Sequence, residues 1–283
     1  MSTGKILRAG VVGHPVKHSR SPLIHGYWLE QFGIHGRYDR YDVKPEDFSR
    51  FIKTLAEQGL EGVNVTIPHK EAAFRVLDDA TDRARRLRAA NTLWFRNGRL
   101  WGDNTDSIGF LANLDQGHPD WNKTTKSALI LGAGGAARAI IAGLQERNID
   151  RITIVNRTRQ RAEELALTSG GQVGVAEWSR IAVHLESADL VVNTTSLGMS
   201  GQPDLELPLD SLGRNAVVTD VVYVPLETNL LRHARLRGNP VVDGLGMLLH
   251  QAVPGFEHWF GKRPAVTDDL RRLIEDNIRG IST

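Results

Sequence analysis

Cysteine is absent from all 283 residues, so disulfides, thiolate nucleophiles and cysteine metal sites are excluded. The same absence fits a reducing compartment, and the chain is expected to be cytoplasmic. No uncharged apolar run reaches the roughly 18 residues that a membrane span needs, so no membrane partner is expected. Near the amino terminus the only apolar core, Ala9 to Val12, gives way at once to His14, Pro15 and Lys17, too short for a secretory signal. Neither sign of charge dominates, with 35 Lys and Arg against 33 Asp and Glu. That balance, without a basic stripe interleaved with aromatics, gives no ground for a nucleic-acid partner. The densest basic run, Arg83-Ala84-Arg85-Arg86-Leu87-Arg88, reads as an exposed helix face.

What the chain does contain is an ordinary soluble mixture, 41% hydrophobic and 24% charged. Its length accommodates two domains of about 100 to 150 residues. Strand and helix signals alternate: a strand over Ile6 to Val12, a helix over Pro22 to Phe32, a strand over Tyr38 to Val43, a helix over Phe48 to Gln58 and a strand over Gly62 to Ile67. Continuous apolar strands between amphipathic helices argue for a mostly parallel sheet covered on both faces. Pro68 ends the third strand, and helices follow from Lys70 or Glu71 to Leu77 and across Ala80 to Arg88. Asn97-Gly98 between the runs Asn91 to Phe95 and Leu100 to Gly102 signals a hairpin, so an antiparallel element interrupts this sheet. After a connecting helix, Ser107 to Leu114, and a polar stretch, Asp115 to Lys126, a fresh unit begins at Ser127. Its further strands are expected at Ile152 to Val155, Val173 to Val175, Leu190 to Asn193, Val217 to Val222 and Pro240 to Val242. Leu245 to Gly280 is helical and apolar-faced, and is expected to return to the first domain. The fold class is therefore two open α/β domains. Residues 1–107, completed by 245–283, form one with a mixed sheet, and residues 108–244 form a Rossmann-type domain.

The second domain opens on Ser127 to Leu131, then Gly132-Ala133-Gly134-Gly135-Ala136-Ala137, then the helical run to Arg147. Strand, tight turn and helix supply the context that the dinucleotide fingerprint requires, and Gly132, Gly134 and Ala137 fit G-x-G-x-x-A. The first glycine permits the turn, the second lets the backbone approach a pyrophosphate, and the small third residue lets helix and strand pack closely. The next strand ends in Asn156-Arg157-Thr158-Arg159, without the carboxylate that an NAD-preferring site uses for the ribose 2′-hydroxyl. Asp150 stands at the wrong end of it. A guanidinium pairs bidentately with phosphate, so Arg157, helped by Thr158 and Arg159, points to NADP.

Polar side chains gather at the predicted strand ends of the first domain. Asn64-Val65-Thr66-Ile67-Pro68-His69-Lys70, Asn91-Thr92 and Asp103-Asn104-Thr105-Asp106 suit a small polyhydroxylated ligand. Ser19 and Ser21, ahead of a helix that can start at Pro22, offer donors for a carboxylate, with Ser21 as the N-cap. Lys70 and Asp106 each follow a strand end and are candidates for proton transfer in a cleft. His14, His18 and His25 have no acidic companion in sequence, and no metal site is expected.

Taken together, HPVKHSRSP, NVTIPHK, AANT, GDNTD, GAGGAARA, NRT and DGLGMLLHQA, in this order from the first strand to the last helices, resemble the shikimate dehydrogenase family. The resemblance implies reversible conversion of 3-dehydroshikimate and NADPH to shikimate and NADP, a step of aromatic amino acid biosynthesis. It implies that Ser19 and Ser21 take the substrate carboxylate and that Asn64, Thr66, Asn91, Asp106 and Gln251 contact the ring and its hydroxyls. Lys70 and Asp106 match the family's catalytic pair, and Tyr223 a substrate-side tyrosine. On this reading Lys70 moves the proton while Asp106 orients lysine and substrate. The nicotinamide is expected near Thr194, Ser196, Val221 and Gly244, with Met247 beside its ring and Gly132 to Ala136 on the phosphates. Two positions depart from the family: Arg88 stands where glycine is usual, and His14 where asparagine is common. A quinate or quinate/shikimate dehydrogenase using NAD is the nearest alternative, and a catalytically silent NADP-binding sensor is a second. The chain is expected to work as a monomer or homodimer with a small-molecule substrate.

Overall fold

The computed structural model describes residues 5–149 and 151–281, so Asp150 and the outermost residues of the expected first domain lie outside the described residues. The chain divides into two compact units, one running to Thr105 and including Gln251–Asn277, the other comprising Asp106–His250 with Ile278–Ile281. No helix among the described residues is long and apolar enough to cross a membrane.

In the first unit β1 (Leu7–Gly13), β2 (Gly36–Asp42), β3 (Gly62–Val65), β4 (Asp79–Ala80), β5 (Thr92–Arg96) and β6 (Arg99–Asp103) form one sheet in the order β2-β1-β3-β5-β6-β4. β1 is parallel to β2 and β3, and β4 to β6, whereas β5 is antiparallel to both β3 and β6. The reversal comes from the two-residue turn Asn97-Gly98, whose φ values of 53° and 73° have the sign that a type I′ hairpin needs. Because β5 runs against its neighbours, its N-terminal end shares one sheet edge with the C-terminal ends of β1, β3 and β6. That edge collects every polar motif that sequence reading places in the first domain.

Several elements differ from expectation for local reasons. The helix expected to reach Gln58 is Phe48–Lys53. It frays where the Thr54 hydroxyl bonds back to the Arg50 and Phe51 carbonyls. Ala80, expected to start a helix, instead belongs with Asp79 to an edge strand on β6, and the helix is Asp82–Leu87 with Thr81 as its N-cap, accepting from the Ala84 N–H. Ser21 is the first helical residue of Ser21–Gln31 and not the N-cap. The Ser19 hydroxyl accepts from the Ser21 N–H instead, at 3.3 Å. The basic run is not simply a solvated face, since Arg83 is partly buried and pairs with Asp103 at 3.0 Å. The polar stretch before the second sheet hides the short helix Trp121–Thr124, whose Trp121 is fully buried and donates to Asp115 at 2.9 Å.

The C-terminal segment completes the first unit's core in two helices, Leu245–Phe260 from Gln251 onward and Asp268–Arg279 up to Asn277, separated by a non-helical stretch. Phe256, Trp259 and Phe260 join Trp28, His25 and Tyr38 in one aromatic cluster. Trp28 and Phe256 are fully buried, each contributing on the order of 2–3 kcal/mol. Trp259 donates its indole N–H to the Leu93 carbonyl at 2.9 Å. A side chain at Gly62 would strike that same indole and the Leu93 carbonyl, so the contact needs glycine there.

The second unit is a parallel sheet of β7 (Ser127–Leu131), β8 (Arg151–Val155), β9 (Val173–Ala176), β10 (Leu190–Asn193), β11 (Val217–Asp220) and β12 (Val241–Val242), in the order β12-β11-β10-β7-β8-β9. The chain starts at the centre, moves outward through β8 and β9, then crosses to β10 and moves outward the other way. That reversal leaves a crevice at the C-terminal ends of β7 and β10, where doubly wound sheets bind ligands. One face is packed by Phe110, Ile140, Ile141 and Leu165, the other by Leu185, Leu209, Leu230 and Leu231.

Arg88 closes the helix Asp82–Leu87 in the left-handed region, φ 50° and ψ 34°, so the backbone keeps the conformation that glycine would adopt freely. An L-residue there costs roughly 1–2 kcal/mol, of which glycine's greater freedom in the unfolded chain returns about 0.5–1. Arg88→Gly is therefore expected to stabilise the protein by about 0.5–1 kcal/mol in denaturant melts. A lower midpoint would show that contacts of the arginine side chain outweigh its strain.

Candidate active site

At the shared edge of the first sheet, side chains from five segments join in one hydrogen-bonded row, and the Ser19–Ser21 turn lies beside it. The Ser19 hydroxyl donates to Ser21 Oγ at 3.2 Å, and the Ser19 carbonyl accepts from Arg40, which holds the turn in place. Burial pushes the pKa of the Tyr38 phenol strongly upward, and the neighbouring Ser21 opposes the rise. The Tyr38 hydroxyl donates to Asn64 Oδ1 at 2.6 Å. Asn64 Nδ2 donates to the Asn91 carbonyl at 3.2 Å and to Thr92 Oγ1 at 3.1 Å. Thr92 Oγ1 donates in turn to Asn91 Oδ1 at 3.1 Å, which also accepts from the Thr105 N–H at 2.8 Å. The Thr105 hydroxyl donates to the Gln251 carbonyl at 2.9 Å, and Asn91 Nδ2 to Gln251 Oε1 at 3.4 Å.

Of the residues singled out in the first domain, Ser19, Ser21, Asn64, Asn91 and Gln251 are therefore brought together. Thr66 sits on the same edge, half-buried, its N–H bonded to the Val12 carbonyl and its methyl against Gly13. Lys70 opens the helix Lys70–Arg75, and its carbonyl accepts from Ala90 at 2.9 Å, next to Asn91. Asp106 follows directly on Thr105, is buried, and opens the helix Asp106–Gly117 of the second unit. Tyr223 and Met247 also belong to the second unit, both half-buried. Tyr38 enters the row without having been singled out, and Thr92 and Thr105 were named only within their motifs. Tyr38 carried a partial signal, as one of two tyrosines in the otherwise polar β2, of which it is the buried one and Tyr41 the half-buried one.

The three histidines part company. His14 Nδ1 lies 2.6 Å from Asp42 Oδ1, an acidic neighbour that sequence spacing did not show. His25 is fully buried in the aromatic cluster, and burial, slightly opposed by Asn64, lowers its pKa to about 3.

In the second unit the glycine loop closes β7. The Gly132 N–H donates to the Val155 carbonyl at 2.8 Å, and its φ is +109°. A Cβ at Gly132 would lie 2.6 Å from Thr194 Oγ1, whose own hydroxyl donates to the Leu131 carbonyl at 2.7 Å. Beyond Ala133, Gly134 and Gly135 are exposed, and a Cβ on either meets no protein atom within 4 Å. They border open space at the start of the helix Gly135–Glu146, where no side chain caps the first amides. Such amides and the positive helix end suit phosphate, and the fully buried Ala137 lets the helix sit close to the sheet. Ala136 lies in this first turn. At the end of β8 the Asn156 side chain donates to the Thr158 carbonyl at 2.8 Å, shaping a turn on which Arg157 and Thr158 are exposed. Arg159 is already engaged, with Glu163 at 2.7 Å and Glu177 at 2.8 Å, and those two carboxylates raise its pKa.

Past β10 and β11 the loops lean on one buried carboxylate. Asp220 accepts from Asn193 Nδ2, the Val222 N–H and the Thr228 hydroxyl at 2.8–2.9 Å. Burial raises its pKa, and these three donors oppose the rise. Thr194 and the exposed Ser196 occupy the first loop, the Val221 N–H donates to the Asn193 carbonyl, and Gly244 packs on the Val221 backbone.

A Rossmann-type unit with an open glycine loop, on a chain whose other α/β unit lines up hydroxyls and amides, defines an oxidoreductase of the nicotinamide-nucleotide class. Comparison with known proteins makes this specific. The shikimate dehydrogenase substrate-binding domain matches residues 11–93, shikimate/quinate 5-dehydrogenase residues 116–199, and the shikimate 5′-dehydrogenase C-terminal domain residues 244–273. The NADP(+) shikimate dehydrogenase of Azorhizobium caulinodans is 55% identical over 267 residues, covering 94% of this chain and 95% of that one. Among solved structures, the Thermus thermophilus shikimate 5-dehydrogenase in complex with NADP(H) and shikimate is 36% identical with a TM-score of 0.84, covering 98% of this chain and all of that one. Quinate dehydrogenase from Corynebacterium glutamicum in complex with NAD is 29% identical with a TM-score of 0.88, covering 97% and 99%. The chain belongs to the shikimate dehydrogenase family.

Gly132→Ala adds both a positive-φ penalty and the approach to Thr194. It is expected to lower stability by about 1–3 kcal/mol. It should also weaken NADP binding, read by fluorescence titration of NADPH, and wild-type affinity would remove this turn from the cofactor site.

Proposed function

We propose that this chain catalyses the reversible, NADPH-dependent reduction of 3-dehydroshikimate to shikimate in aromatic amino acid biosynthesis. The observation that carries the proposal is the hydrogen-bonded row from Tyr38 to Gln251 with Ser19 and Ser21 beside it, whose spaced hydroxyls and amides suit a small ring bearing a carboxylate and several hydroxyls. A cytoplasmic location belongs to the same proposal and fits a chain without cysteine.

Ser19 and Ser21 hold the carboxylate by donating to it. Asn64, Thr66, Asn91, Asp106 and Gln251 bind the ring hydroxyls, and Tyr223 closes on the substrate. Lys70, as its ammonium, donates to the carbonyl oxygen, stabilises the negative charge growing there and gives up the proton as the C–H bond forms. Asp106 orients Lys70 and a substrate hydroxyl. Bound NADPH supplies the hydride, leaving NADP. The glycine loop and the first turn of its helix hold the pyrophosphate, and Asn156, Arg157 and Thr158 read the 2′-phosphate. Arg159, being paired with two glutamates, supports the turn and leaves the phosphate to Arg157. Thr194, Ser196, Val221, Gly244 and Met247 line the nicotinamide end.

The likeness to a quinate dehydrogenase holding NAD makes quinate and NAD the alternative pair to test. The lack of an acid after β8 argues against it. Absorbance at the reduced-nicotinamide band, with shikimate or quinate and NADP or NAD, separates these readings. Turnover confined to shikimate with NADP supports the proposal, and preference for quinate with NAD overturns it. Silence with all four pairs and retained NADPH binding favours a sensor.

Lys70→Ala is expected to lower kcat by about 10²–10⁴-fold with NADP binding unchanged. Retained turnover would remove lysine from proton transfer. Loss of a charge-assisted bond in Arg157→Ala, worth about 1.5–3 kcal/mol, should raise the KM for NADPH at least tenfold and leave that for NADH unchanged. An equal rise for both would show that Arg157 does not read the phosphate.

A further inference from the structure

We propose that Tyr38 is a positioning residue of the substrate site, setting Asn64 so that it meets the ligand only as an acceptor; this rests on the shikimate reading above. The phenol is 6% exposed and its hydroxyl lies 2.6 Å from Asn64 Oδ1. Burial raises its pKa well above the ordinary value, so the hydroxyl stays protonated and remains a donor. Asn64 is itself buried, and both Nδ2 protons are spent on the Asn91 carbonyl and Thr92 Oγ1. A carboxamide oxygen has two lone pairs and here only one is taken. The remaining lone pair is all that Asn64 offers, and the group facing it must donate, as a ring hydroxyl does.

The phenol that holds the amide proposed for a hydroxyl also borders Ser21, proposed for the carboxylate. It cannot swing. The His25 ring stacks on it at 3.9 Å with planes 6° apart, and Trp259 lies 5.9 Å away on a tilted plane. His25 is fully buried, and neither of its ring nitrogens has a hydrogen-bond partner among the described residues. Its service is therefore flat packing, and the low pKa that burial imposes keeps the ring neutral, with no charge placed beside the phenol. Tyr38 thus holds Asn64 in place, while Lys70 carries the chemistry.

Tyr38→Phe keeps the ring and its stack and removes only the donor. A lost positioning hydrogen bond worth about 1.4 kcal/mol corresponds to a tenfold change. The KM for shikimate should rise about tenfold, with kcat and the KM for NADPH within about twofold of wild type and the thermal midpoint nearly unchanged. A role in folding alone would lower the midpoint and leave the KM for shikimate in place, overturning the proposal. So would parallel losses in kcat and NADPH affinity. On the wild-type protein, nitrogen-15 NMR gives a second reading: the Asn64 amide protons should exchange slowly and shift little when shikimate is added. A large shift would put the donor side on the ligand and overturn the inference. An active wild type with an unaffected Tyr38→Phe defeats this inference alone, whereas a wild type inert toward shikimate defeats the proposed reaction and this inference with it.

Discussion

The first unit is organised by the need to satisfy buried amides at the edge where β3 and β5 meet. Asn64 and Asn91 are each buried at or below 5% exposure, and an unpaired carboxamide there would cost on the order of 1–3 kcal/mol per group. Their partners come from chain segments far apart in sequence: Tyr38 from β2, Thr92 from β5, Thr105 past β6 and Gln251 from the C-terminal helix. Satisfying them aligns all four. The same groups, once fixed, make a row of hydroxyls and amides with little freedom left, which is what recognition of a small polyhydroxylated ring demands.

That arrangement depends on one strand running the wrong way. Had β5 been parallel to β3, Asn91 would lie at the far end of the sheet from Ser19, Thr66 and Lys70. The Asn97-Gly98 turn supports the reversal, and Trp259 clamps it by bonding the β5 backbone at Leu93. The aromatic cluster brought by the C-terminal helices thereby reaches the polar edge as well as the core, through the His25–Tyr38 stack.

The second unit solves a different problem with the same economy. Its glycine loop must stay open toward a phosphate while remaining anchored to the sheet. Gly132 is held by Val155 and pressed on Thr194, whereas Gly134 and Gly135 face open space. Asp220 does for the loops past β10 and β11 what Asn91 does in the first unit: one buried acceptor group collects donors from three segments.

Much of this was legible in the residues. Short-range signals such as Gly132-Ala133-Gly134 after an apolar run and Asn-Gly in a hairpin each depend on backbone preferences that neighbours alone determine, and they read correctly. Arg88 was legible as a departure, and the backbone proved to keep the left-handed turn regardless. What sequence by itself determined was the two α/β units, the strand ends where polar residues gather, and the absence of an acid after β8. Only the tertiary structure decided that Ser21 begins its helix, that Trp121 is core, that Arg159 is occupied by glutamates, and that Tyr38 holds Asn64. The physical reason is that a hydrogen bond between residues 26 positions apart, as between Tyr38 and Asn64, depends on which strands pair and in which direction. Strand pairing is a property of the whole sheet, which no local pattern contains.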